Sequence, residues 1–248
     1  MIFKNNNSSM CKIFLWAPES DYDAKTVHCI AKKIVTFHRK DNVELILGTK
    51  QAYNHAIKNR EEDGLQKAVE IYLKDHNSVL FLIDYDGRQS EAARLKQPNS
   101  FFNRINKVVE NSKFSGRVQL ILICQELEAW LLVDCLGICC YYTKSKNTRT
   151  KKDWQNFANK HQIGRTENIT EAESGGKGAK EYLENFSKLI AEKRNRQLKE
   201  KDLKKHKYTE SLSPEIADYL EINRTTIERN SSLKEFDEYL CPPSNREN

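Results

Sequence analysis

The stretch from Ser78 to Arg88, SVLFLIDYDGR, constrains the fold more than any other. Val79, Leu80, Phe81, Leu82 and Ile83 form a continuous β-branched and aromatic run, the pattern of a strand covered on both faces in a parallel sheet. Gly87 then breaks the run. Side chains alternate along an extended chain, so Asp84 and Asp86 are expected on the same side at the carboxyl edge of the sheet, with Tyr85 opposite. In open α/β sheets that edge is where ligands bind. Neighbouring carboxylates repel unless a divalent cation, a proton or a basic partner neutralises them, so Asp-x-Asp at this place suggests a Mg²⁺ or Mn²⁺ site. The competing reading is a turn, which Asp and Gly both favour.

Around this strand the first half alternates. KIFLW (12–16) and VELIL (43–47) read as strands, and RVQLILIC (117–124) as a further one. Between them lie helical spacings. Val27, Ile30, Ala31, Ile34 and Val35 mark one helix, Leu65, Ala68, Val69 and Tyr72 a second over 61–74, and Phe102, Ile105 and Val109 a third over about 99–111. A βαβαβαβα order defines an α/β domain with a parallel, Rossmann-type sheet, here assigned to residues 11–140. Residues 1–10, rich in Asn and Ser, are expected to be a disordered arm.

After Asp134 the apolar residues thin out, and residues 141–248 read as a mostly helical, basic C-terminal portion. Lys151 to His161 is a short helix. SGGKGAKEYL opens a long charged helix expected to run from about Ala179 to Lys204, and SPEIADYL and SSLKEFDEYL each place a Ser ahead of a helix-like run, as capped helices do.

The chain has 248 residues and a net charge of +6, unevenly spread. Basic residues concentrate in TKSKNTRTKK, which offers Lys144, Lys146, Arg149, Lys151 and Lys152 as nucleic-acid contacts, and in 193–207. The alternative for such runs is a solvated helix face. Seven cysteines without a C-x-x-C pair suggest neither a disulfide framework nor a zinc site, so Cys29, Cys124, Cys135, Cys139 and Cys140 are assigned to packing. No apolar stretch approaches the roughly 18 residues a membrane helix requires, and the N-terminus lacks a signal-peptide core. The expectation is a cytoplasmic protein without membrane contact.

Other acidic residues fall at the same sheet edge. Glu19, Asp21 and Asp23 follow the first strand, where they either join Asp84 and Asp86 around a cation or cap the first helix. Glu126 and Glu128 follow the fourth strand in ICQELEAWLLVD, as further ligands or as acids favoured at a helix N-terminus. Leu127, Leu131 and Leu132 would bury that segment, with Trp130 sealing it against the second half. Lys177, in the Gly-rich turn before a helix, is placed to meet a phosphate. The Walker A and G-x-G-x-x-G spacings are absent, and six dispersed His lack zinc-hydrolase spacing.

A Glu near the first strand and Asp-x-Asp after the third, in βαβαβα order, resemble the Toprim domain of topoisomerases, primases and overcoming-lysogenisation-defect nucleases. ICQELEAWLLVD, GGKGAKEYL and SPEIADYLEINRTTIERNSSLKEFDEYL look like the later motifs of an uncharacterised bacterial Toprim-like family found beside ATPase genes in phage-defence loci. The resemblance implies a Mg²⁺-dependent nuclease subunit acting on DNA or RNA with an ATPase partner, and a homo-oligomer is compatible with it. It further implies that Asp84 and Asp86 hold the metal, that Glu19 is the general base or a further ligand, and that Lys177 steadies the scissile phosphate. One departure stands out. Toprim sequences place Glu-Gly directly after the first strand, where this chain has Ala17 and Pro18, so Glu19 must act from two residues further on. Two other readings compete: a non-catalytic interaction or sensor subunit with the same fold, and a haloacid-dehalogenase-like phosphatase, whose Asp-x-Asp follows its first strand rather than its third.

Overall fold

The computed structural model describes residues 10–58, 63–85, 95–97, 99–170, 178–195, 197, 199 and 204–242. Four strands, β1 (Cys11–Trp16), β2 (Val43–Gly48), β3 (Ser78–Tyr85) and β4 (Val118–Cys124), form one all-parallel sheet in the order β2-β1-β3-β4. This is the α/β, Rossmann-like architecture with a helical C-terminal part that the alternation predicts.

Period-2 alternation divides the strands between two cores. On one face Phe14, Trp16, Val79, Phe81, Ile83 and Val118 pack against α2 (Lys50–Lys58), α3 (Gly64–Asp75) and α4 (Phe101–Val109). This side is aromatic: Trp16 stacks on Phe81 at 5.5 Å, and Phe14 on Tyr72 at 4.0 Å. Gly48 faces the same cluster, and a Cβ there would lie 2.8 Å from ring atoms of Phe14 and Trp16. Only a residue without a side chain lets β2 approach so closely.

On the other face Ile13, Leu15, Leu80, Leu82, Ile121 and Ile123 meet α1 (Asp21–Phe37) together with the helices of the second half. These are α5 (Glu126–Leu131), α6 (Cys135–Thr143), α7 (Lys152–His161), α8 (Ala179–Arg194), α9 (Ser213–Tyr219), α10 (Arg224–Ile227) and α11 (Ser231–Leu240). The apolar cluster runs across residue 140 without a break, so the 141–248 portion completes the layer over the sheet. Polar ties do the same. Lys33 Nζ donates to the carbonyls of Asp218 and Leu220 at the end of α9, at 2.8 and 3.0 Å, and His38 meets Asp237 of α11 at 2.8 Å.

Trp130 carries a further, fully buried tie. Its indole stacks on Phe236 and its N–H donates to Asn230 and Ser232, at 3.1 and 2.9 Å. The Ser232 hydroxyl also accepts the Cys124 N–H at the end of β4, at 3.0 Å. A buried indole N–H left unpaired would be costly, and here Asn230, itself fully buried, anchors the acceptors.

Several local expectations are revised. The helix opening at Ala179 ends at Arg194 rather than near Lys204, its last carbonyls meeting the Asn195 amide. Neither Ser ahead of the last helices caps them. Asn230 accepts the Leu233 N–H at the start of α11, while Ser232 serves Trp130 and the Ser213 hydroxyl pairs with Tyr208. A helix unmarked in the sequence reading, α2, fills the space after β2. All described cysteines are free, and burial pushes the Cys135 and Cys139 thiols upward, as inert packing groups require. No helix among the described residues is long and apolar enough to cross a membrane.

Candidate active site

The strand order reverses beside β1. Its neighbours are β2 on one side and β3 on the other, with α1 on one face and α2 to α4 on the opposite one, so the loops leaving the carboxyl ends of β1 and β3 diverge. Such a switch point is where doubly wound sheets open a crevice.

The β1–β3 pairing ends at Trp16 and Phe81, while β3 continues to Tyr85. The Glu19 side chain takes over where β1 stops, its Oε2 accepting the Asp84 backbone N–H at 2.8 Å. The carboxylate substitutes for a strand carbonyl, satisfying a donor that the shorter neighbour leaves unpaired. The loop carrying Glu19 is held by Lys50, whose ammonium donates to the Glu19 carbonyl at 2.6 Å and whose backbone N–H donates to Asp21 Oδ1 at 3.1 Å. Thus the first strand's loop, α1 and α2 are tied at one point. None of the three acidic residues caps α1: Ser20 does, its Oγ accepting the Asp23 N–H at 3.0 Å.

Asp23, half-buried in the first turn of α1, is raised above its ordinary value by burial, opposed by the Ser20 hydrogen bond. Glu210 adds to the rise; Lys50 and Lys180 counter it. Lys180, in the first turn of α8, pairs with Glu210 and also feels Glu128 and Glu126, which together keep its ammonium charged.

Beyond β4 the backbone takes a rare course. Gln125 and Glu126 have φ of 64° and 67°, two successive residues with side chains in the left-handed region. Each costs on the order of 1 kcal/mol and persists because its surroundings enforce it. The Glu126 carboxylate accepts the Lys180 N–H at 3.3 Å, at the positive end of α8. Glu128, buried at 6% exposure, accepts the Tyr208 hydroxyl at 2.9 Å, and Tyr208 in turn pairs with Ser213 at 2.5 Å. Burial, and secondarily Glu126, push Glu128 up to about 7.

The structure therefore brings Glu19 to Asp84, Asp21 to Lys50, and Asp23, Glu126 and Glu128 around Lys180. Asp86 and Lys177 lie outside the described residues. Within the basic tract only Arg149 is drawn into the protein; the four lysines are exposed. Lys144 Nζ sits 3.8 Å from the Tyr141 ring centroid and pairs with Glu215, and Lys146 lies over Tyr219. Arg149 is held by Asp134, by the Tyr219 carbonyl at 3.0 Å and by Glu221 at 3.2 Å. Lys151 and Lys152 are exposed at the start of α7.

Hard carboxylate oxygens are what Mg²⁺ or Mn²⁺ takes, and at this switch point the contact between Glu19 and Asp84 runs from the Glu19 carboxylate to the Asp84 backbone N–H. No three acidic, His or Cys side chains gather at ligating distance among the described residues. Glu126 and Glu128 instead serve a helix N-terminus and a tyrosine.

Lys50, Lys180, Tyr208 and Glu210 are the site residues that sequence reasoning passed over. Lys50 had one signal, its place two residues past a strand ending in Gly, and Lys180 another, its place in the same Gly-rich helix opening as Lys177. Tyr208 and Glu210 had none.

Fold and site together define an α/β, Rossmann-like protein with an acidic carboxyl edge. The chain matches no protein-family model, no curated protein and no solved structure.

Proposed function

We propose that the chain is a Toprim-like, Mg²⁺- or Mn²⁺-dependent nuclease subunit of a bacterial anti-phage system, working in the cytoplasm with an ATPase partner. The observation that carries the catalytic part is the Glu19 carboxylate seated on the Asp84 amide, which joins an acidic residue of the loop after β1 to one near the end of β3 at the switch point. The ATPase and the defence setting rest on the resemblance of the later motifs.

A divalent cation held by Glu19 and Asp84, with Asp86, would supply Lewis-acid polarisation of a phosphodiester. The chain's own part is positioning. Lys50 fixes the Glu19 loop and adds positive charge beside it. Lys180 balances the carboxylates around α8, where Lys177 is proposed to steady a phosphate.

The test is cleavage of labelled single- and double-stranded DNA and RNA with Mg²⁺, Mn²⁺ or chelator, with and without the ATPase. Cleavage that requires the cation and vanishes in Asp84→Asn supports the reading; its absence under every condition sinks it. A second reading is a non-catalytic interaction subunit. It is favoured by the engagement of Glu126 and Glu128 with protein groups, which leaves fewer carboxylates for a cation. A folded chain that binds nucleic acid or the ATPase without cutting would select it.

A further inference from the structure

A groove of 780 Å³ separates α2 from α3 and begins at the loop that carries Glu19. Its near end is Asp21, Thr49 and Lys50, the same Lys50 whose ammonium touches the Glu19 carbonyl. From there it follows α2 past Asn54 and His55 to Lys58, with Ala68, Ile71 and Tyr72 of α3 as the opposite wall.

Two properties narrow the occupant. The first is charge: Lys50 and Lys58 line the groove with His55 between them, and the one lining carboxylate among the described residues, Asp21, already accepts the Lys50 amide. The cations are spread over eight residues of helix, about 12 Å, which suits a chain of phosphates better than one compact anion. The second is the opposite wall, where Ala68 leaves space and Ile71, 61% exposed, offers an uncovered apolar surface beside Tyr72. A row of cations facing an apolar, partly aromatic wall is how single strands are held, phosphates on one side and bases on the other. The volume is of small-ligand size, enough for nucleotide units and too small for a duplex.

We propose that the α2–α3 groove seats successive nucleotides of a single-stranded nucleic acid, with phosphates at Lys50 and Lys58 and bases against Ala68, Ile71 and Tyr72. The inference rests on the nuclease reading for its purpose and deepens it, because the strand would leave the groove at the Glu19 loop. It also moves the nucleic-acid contact away from the 143–152 tract.

The experiment measures fluorescence anisotropy of labelled oligothymidylate and oligouridylate, and of a short duplex, with chelator present so that binding is read apart from cleavage. The variants are Lys58→Glu, at an exposed position, and Ala68→Trp, which fills the groove; circular dichroism checks the fold of both. Single-strand binding weakened about tenfold or more in each, with Lys146→Glu near wild type, is the expected result. Equal binding by wild type and Lys58→Glu overturns the proposal, as does no binding by wild type. So does binding of a labelled acidic peptide where no oligonucleotide binds, which would make the groove a protein-docking face. A Mn²⁺ cleavage assay judges the parent reading separately. Cutting with unaltered affinity in Lys58→Glu refutes the groove alone, whereas groove-dependent binding without cutting refutes the nuclease alone.

Discussion

Glu19 Oε2 lies 2.8 Å from the Asp84 backbone nitrogen, so a side chain from the loop after β1 continues the hydrogen bonding that β1 itself abandons at Trp16. A carboxylate three residues beyond the end of the strand is thereby turned back onto the sheet edge.

Glu19→Gln keeps an acceptor for the Asp84 amide and removes the charge. The expected outcome is a thermal midpoint near wild type with cleavage abolished, and a smaller loss of cleavage in Asp21→Asn, since Asp21 is exposed and serves the Lys50 amide. Equal activity of Glu19→Gln and wild type would remove Glu19 from the chemistry.

Gly48→Ala should destabilise the fold by about 1–3 kcal/mol, because its Cβ would fall 2.8 Å from two rings that are themselves locked by stacking. Denaturant titration reads this as a lower midpoint at unchanged slope.

Glu128 imposes a pH dependence with a definite sign. Its carboxyl is raised from an ordinary 4.5 to about 7, so between those values the folded protein holds a proton that the unfolded chain has released. Its contribution to stability is complete below about pH 4.5 and is lost as pH rises through 7, by an amount on the order of a few kcal/mol. Glu128→Gln keeps an acceptor for Tyr208 and should flatten the stability profile between pH 5 and about 8. A profile as steep as wild type would assign the titration elsewhere.

Asp134, 7% exposed at its side chain, accepts the Gly137 N–H at 3.0 Å and the Glu221 N–H at 2.8 Å while pairing with Arg149. Asp134→Ala leaves a partly buried guanidinium without its main partner, at a cost of about 3–5 kcal/mol. By the same geometry Arg149→Gln should lower the melting temperature and leave the salt dependence of nucleic-acid binding unchanged. A shallower salt slope in Arg149→Gln would restore it as a phosphate contact.

What the sequence disclosed depended on how local each signal was. Short apolar, β-favouring runs survive in any short window, so the strand at Val79–Ile83 and its three neighbours were legible to within a few residues. The second helix was not: KQAYNHAIK buries only Tyr53 and Ala56, too few apolar residues for a clear period. Capping was ambiguous because Ser20, Asp21 and Asp23 are all competent caps, and only the backbone entering the helix selects Ser20. The partners of the basic tract were illegible for a related reason. Arg149 is taken up by Asp134, 15 residues away, and by the Tyr219 carbonyl, whereas Lys144 keeps an exposed side chain beside Glu215. Lys180 and Tyr208 owe their roles wholly to such long-range meetings.

The Ser232 hydroxyl bonds both the Trp130 indole and the last amide of β4, across 102 and 108 residues of chain. At about 5–20 residues per second, a ribosome needs roughly 5–20 s to add the stretch between those partners. During that interval the finished sheet carries Trp130 without its acceptors, and until Lys180 is added, 54 residues after Glu126, the strained turn at Gln125–Glu126 stands without the helix that buttresses it. The carboxyl edge of the sheet is thus completed late in synthesis, and the apolar surface left uncovered meanwhile makes that interval prone to aggregation.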